Sequence, residues 1–155
     1  MSYEIRNAHP DDAEIIAAFN DGIARETEHR SLDPAVVNPG VLDILGDPAK
    51  GRYWVAEHGG KVVGQIMVTY EWSDWRNGTM WWIQSVYVHP DHRRNGVFSR
   101  LYRHVESLAQ QEPGVCGLRL YVEEQNTRAQ ATYKSLGMVK PGYIVMQTVF
   151  GGSGH

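Results

Sequence analysis

The spacing of apolar positions changes several times along the chain, and each change marks an element. Tyr3 to Arg6 reads as a short strand. After Pro10, the residues Ile15, Ile16, Phe19 and Ile23 return at helical intervals, with Asp11, Asp12 and Glu14 where the positive end of a helix favours acids. The polar run from Ala24 to Pro34 closes that helix and leads into a second over Pro34–Leu45, marked by Val37, Val41 and Leu45. The period then shortens. Arg52–Glu57, Val62–Trp72 and Thr79–Val88 read as antiparallel strands, joined by His58-Gly59-Gly60-Lys61 and by a turn ending in Asn77-Gly78, a strong hairpin signal.

Beyond Val88 the helical period returns. Pro90 ends the strand, because it cannot donate to a ladder, and Val97, Phe98, Leu101, Tyr102, Val105 and Leu108 mark one face of a helix. A strand over Leu118–Val122, a helix over Gln125–Leu136 closed by Gly137, and a last strand over Tyr143–Val149 complete the pattern. A strand–helix–strand unit after an antiparallel meander predicts an α/β (α+β) architecture: a mixed, mostly antiparallel central sheet of six or seven strands with helices on both faces. Residues 1–150 are expected to form one domain, and residues 151–155 a flexible tail.

Composition narrows the classes of function. The chain has 155 residues, 42% hydrophobic and 21% charged, with a net charge of −3, which favours no nucleic-acid partner. No apolar run reaches the ~18 residues of a membrane span, and the N-terminus lacks the apolar core of a signal peptide. The single cysteine, Cys116, excludes an internal disulfide and a CxxC metal site, reads as buried filler, and fits a reducing, cytoplasmic setting. No metal is expected.

The chemistry concentrates between Met80 and Glu106. Arg93, Arg94, Asn95 and Gly96 lie between a strand and a helix, and the unpaired N–H groups and partial positive charge of a helix start suit an anion such as phosphate. The alternative is a tight basic turn with solvated arginines. Neither a G-x-G-x-x-G nor a G-x-x-x-x-G-K-[ST] motif is present. Val88, Pro90, Arg93 and Gly96 stand in the register of V-x-P-x-x-R-x-x-G-x-G/A, and the segment resembles the acyl-CoA signature of the GNAT superfamily of N-acetyltransferases. Phe98 departs from the final Gly or Ala, but at a helical position only its N–H is needed. A second block, with Asn126, Ala129, Tyr133, Leu136, Gly137 and Met138, resembles the superfamily's later strand–helix segment.

The resemblance implies an acetyl transfer from acetyl-CoA to an amine, by direct attack in a ternary complex. Backbone N–H groups from Arg94 through Asn95, Gly96, Val97 and Phe98 to Ser99 would face the diphosphate, and the Arg93 and Arg94 side chains would add charge. A bulged strand at Val86, Tyr87 and Val88 would pair with the pantetheine arm and present an N–H to the developing oxyanion. Asn126 would bond the same arm, its alternative being a helix N-cap. Tyr133 would protonate the leaving thiolate, its alternative being ring packing.

The general base is open. Gln84 and Ser85 occupy the strand position where many relatives place a Glu; Glu71, Glu26, Glu28 and Glu123 are candidates, as is a water chain. The Trp-rich segment around Trp72, Trp75, Trp81 and Trp82 would pack the core, line a pocket for a cationic amine, or form a homodimer interface. The acceptor's identity is not written in the sequence. A non-catalytic acyl-CoA-binding or sensing domain is the alternative function.

Overall fold

In the computed structural model, which describes residues 2–151, the sheet is built in chain order. β1 (Glu4–Asn7), β2 (Arg52–His58), β3 (Lys61–Ser73) and β4 (Gly78–Val88) pair antiparallel with their neighbours. β5 (Val115–Arg119) joins β4 in parallel, giving the order β1-β2-β3-β4-β5. The chain falls into two compact units, Met1–Leu120, which holds the sheet, and Tyr121–His155.

Side-chain alternation decides which helix covers which face of the first unit. On β2, Tyr53 and Val55 turn toward Ile16 and Ala17 of α1 (Ala13–Glu28) and Val41 of α2 (Pro34–Leu45). Trp54, one residue out of phase, turns the other way. It meets Trp81 of β4 at 6.0 Å and His104 of α3 (Val97–Gln111) at 6.3 Å between ring centres. Leu101 and Val105 of α3 are fully buried, as the helical spacing predicts, each worth about 1.5–3 kcal/mol of removed apolar surface. Gly64 on β3 makes this close approach possible: a Cβ there would meet Val97 and Leu101 side-chain atoms at 3.3 Å.

Four expectations are corrected. Among the described residues the sheet has five strands rather than six or seven. The fifth strand lies at Val115–Arg119, earlier than the expected Leu118–Val122, because Gly117 belongs to the strand and not to the preceding turn. A Cβ on Gly117 would meet Met80 Sδ at 3.1 Å, so this glycine serves contact between β4 and β5. The expected strand Tyr143–Val149 does not form: the segment has no ladder partner among the described residues, and Tyr143, Ile144 and Met146 are exposed. A β-rich composition makes a strand only when a sheet edge receives it. Cys116, expected to be buried, is exposed on β5, with Sγ 3.5 Å from Met80 Sδ. Residues 152–155 of the expected tail lie outside the described residues.

In the second unit, α4 (Thr127–Ser135) is held at both ends by local chemistry. Asn126 Oδ1 accepts the Ala129 N–H at 3.0 Å. At the other end, Met138 N–H donates to the Tyr133 carbonyl and Gly137 N–H to the Lys134 carbonyl, both at 3.0 Å, a Schellman closure with Gly137 at φ 101°. The Leu136-Gly137-Met138 run is therefore a helix stop.

Candidate active site

The site in the first unit begins with a fault in a ladder. Met67 pairs with Ser85 and Val68 with Ile83, so Gln84 is one residue too many on β4. Such a bulge bends and twists the strand that carries it. It lies two residues before the segment Val86–Val88 where the sequence placed it. On the opposite side, β5 pairs β4 over Thr79–Trp82 alone, so among the described residues no strand of the sheet pairs with Val86–Val88 there.

The chain then passes through a short 3-10 turn, Pro90–His92, and reverses. Arg94 has φ 66° and Gly96 φ 78°. Gly96 is the N-cap of α3, and no side chain caps that end. The first intrahelical bond runs from Arg100 N–H to the Gly96 carbonyl at 3.0 Å. A Cβ on Gly96 would meet nothing within 4 Å, so this residue is glycine for its left-handed backbone, and the space in front of it is open. A sequence of reversed-hand residues opening an uncapped helix makes a concavity suited to an anion.

Beside this turn, α1 packs on the end of β4 through one side chain. Tyr87 lies against Phe19 at 5.1 Å between ring centres, over Gly22, where a Cβ would come within 2.8 Å of its hydroxyl oxygen. The Tyr87 hydroxyl donates to Glu26 Oε2 at 2.8 Å. Phe19, Gly22 and Glu26 recur at i, i+3, i+7, one stripe of α1. Arg93 completes the cluster. Its Nε donates to the Val88 carbonyl at 2.8 Å, its Nη2 meets both Glu26 carboxylate oxygens at 2.9 and 3.0 Å, and its guanidinium stands 5.3 Å from the Tyr87 ring centre. The Arg93 hydrogen bond holds the Glu26 carboxyl below the usual range against the opposing effect of burial, and Tyr87 adds to the lowering. Burial, then Glu26, pushes the Tyr87 hydroxyl up, so it stays a donor at neutral pH.

An open pocket of about 270 Å³ lies at this junction, lined by Ile23, Glu26, Thr27, Val86, Tyr87, Val88, Arg93 and Phe98. It gathers the expected β4 residues, Arg93, Phe98 and one of the four candidate bases. Arg94, Asn95, Gly96 and Ser99 are exposed on the adjoining turn and first helical turn, whereas the Val97 side chain is buried in the core and offers only its backbone. Ile23, Thr27 and the Phe19–Gly22 stripe were not marked as site residues by the sequence; their signal was the helical phase they share with Glu26.

The other expected residues of the first unit stand apart from this pocket. Glu71 pairs with Met80 near the far end of the hairpin, seven residues from Gly64 and so about 23 Å along the strand. Its carboxylate is bound to Arg119 at 2.6 Å. Trp72 and Trp75 are exposed still nearer the hairpin tip, Trp81 is buried, and Trp82 is half-buried. Glu28 pairs with Arg30 at 3.2 Å. In the second unit Asn126 is an N-cap, Glu123 accepts the Gln125 N–H at 2.8 Å, and Tyr133 is partly buried on α4.

A bulged fourth strand, a fifth strand that departs from it, and an uncapped helix start between them are the features of an acyl-group transferase fold. Residues 12–138 match the model of the Acetyltransferase (GNAT) family, and the chain belongs to that family. It is similar to a possible acetyltransferase from Clostridium difficile 630, at 46% identity and a TM-score of 0.90 over 96% of this chain and 98% of the other. It is 32% identical over 97 residues to the thialysine N-epsilon-acetyltransferase of Bos taurus, a match spanning 63% of this chain and 52% of that protein, about half its length. An aminoglycoside N-acetyltransferase solved in complex with CoA shares the fold, with a TM-score of 0.79 at 14% identity over 96% of this chain and 95% of the other.

Proposed function

We propose that the protein transfers the acetyl group of acetyl-CoA to a primary amine, on a small molecule or a peptide, by direct attack in a ternary complex. The observation that carries this reading is the uncapped start of α3 opening beside the strand edge at Val86–Val88. N–H groups of the turn and first helical turn, from Arg94 to Ser99, hold the diphosphate, and the pantetheine arm lies along β4 as an added strand. The amine nitrogen attacks the thioester carbon; the C–N bond forms as the C–S bond breaks. A β4 backbone N–H stabilises the oxyanion, and Tyr133 gives its proton to the departing thiolate.

The amine's proton goes to water. Arg93 holds the Glu26 carboxyl low and so weakens it as a base; Glu28 and Glu71 are each bound to an arginine, and Glu123 accepts a backbone N–H. The name of the bovine relative supports an ε-amine as the acceptor. Thiol release from acetyl-CoA across a panel of amines, including thialysine, lysine and aminoglycosides, tests the reading. Turnover is expected with at least one amine, with kcat falling about 100-fold on Tyr133→Phe. CoA binding with no turnover on any amine would favour the sensing domain, which Gln84 in place of an acidic residue on β4 keeps in view.

A further inference from the structure

We infer that Arg93 is a positioning residue: through Glu26 and Tyr87 it latches the last turns of α1 to the strand-to-helix turn, and so sets that turn for its anionic ligand without touching it. The inference rests on the reading of the turn as the diphosphate site.

Three observations carry it. First, the Arg93 side chain is already committed, with Nε on the Val88 carbonyl and Nη2 on the Glu26 carboxylate. An arginine that gave those same N–H groups to a diphosphate would leave a full negative charge behind. Second, the latch is anchored at both ends. Phe19, Gly22 and Glu26 present one stripe of α1 to Tyr87, and Arg93 is the first residue after the 3-10 turn, one before the backbone reverses hand at Arg94. A shift of Glu26 is thus transmitted to the segment whose N–H groups must converge. Third, the Arg93 and Glu26 side chains are 42% and 44% exposed. An ion pair so wetted adds little to stability, so its arrangement is better explained by geometry than by folding.

The two roles for Arg93 predict opposite signs for one variant. If Arg93 is a ligand held back by Glu26, Glu26→Gln frees it and CoA binds more tightly. If Arg93 is a latch, Glu26→Gln loosens the turn and CoA binds more weakly. CoA binding by calorimetry to the wild-type protein, E26Q, R93Q and the double variant reads this directly, without turnover. Each single change is expected to weaken CoA about fivefold, as for loss of one exposed ion pair with its hydrogen bonds. The double variant is expected to be no weaker than the worse single one, because both remove the same link. KM for acetyl-CoA should rise with kcat retained, and melting temperatures should stay within about 2 °C of wild type. Tighter or unchanged binding by E26Q, unchanged binding by R93Q, or additive losses overturn the latch. Wild-type protein that fails to bind CoA overturns the acetyltransferase reading as well, so the two failures are told apart.

Discussion

Helices α3 and α4 begin in opposite ways. α4 starts at Asn126, whose side-chain oxygen takes the Ala129 N–H; α2 starts likewise at Asp33, which takes the Ala35 N–H at 2.9 Å. α3 starts at Gly96, with no side-chain cap and open space where a Cβ would stand. A cap is worth about 1 kcal/mol. A helix built without one, on a backbone that favours glycine, gives up that stability and leaves its N–H groups turned toward solvent or a ligand. The difference separates a helix end closed by its own side chain from one left without a side-chain cap, which position along the chain does not reveal.

The largest effect should come from capping α3. Gly96→Asp supplies an N-cap in a conformation that Asp tolerates, and sets a negative charge where the proposed diphosphate would lie. CoA affinity should fall about 100-fold, against about 10-fold for the uncharged Gly96→Asn, as measured by calorimetry. Equal, small losses would break the comparison, because the end of α3 would then be an ordinary helix start.

Removing the cap of α4 is the converse experiment. Asn126→Ala should lower stability by about 1 kcal/mol in denaturant titration, whereas Asn126→Asp should hold it. If Asn126→Asp held stability but weakened CoA severalfold, the side chain would also meet the pantetheine arm, as the resemblance to the superfamily implies. Asp33→Ala should cost a similar ~1 kcal/mol and leave KM for acetyl-CoA unaltered, sharpening the contrast between a cap and a site.

The smallest effect concerns acid. The folded-state Glu26 carboxyl lies below its ordinary value of 4.5, held down first by Arg93. Its contribution is therefore present above that value and is lost as pH falls through the lower folded value. The stability difference between wild type and Glu26→Gln, less than about 1 kcal/mol at neutral pH for so exposed a group, should vanish in acid.

The core of the fold was legible because its signals are local. The Gly59-Gly60 and Asn77-Gly78 turns, the helical phase of Val97, Leu101 and Val105, and Pro34 at the start of α2 each act over a few residues, and the structure places all of them as expected. The fifth strand was misread because Gly117 resembles a turn residue until Met80 is seen against it. Tyr143–Val149 was misread because β propensity does not say whether an edge will accept the segment. Gly96 was legible as the residue that opens α3, since a glycine between a strand and an apolar helix marks a reversed-hand backbone. The direction of the Arg93 side chain was not legible, because its partner Glu26 lies 67 residues away.

The sequence by itself determined where helices and strands begin and end through most of the sheet-bearing unit, and that a glycine opens α3, since hydrophobic period, proline and glycine act within one or two turns of chain. Only the tertiary structure decided how many strands the sheet has, that β4 carries its extra residue at Gln84, and that Arg93 faces a carboxylate on α1 rather than the open side of the turn. Those depend on pairings between distant segments, and a charged side chain takes its partner from whatever the fold brings within 3 Å.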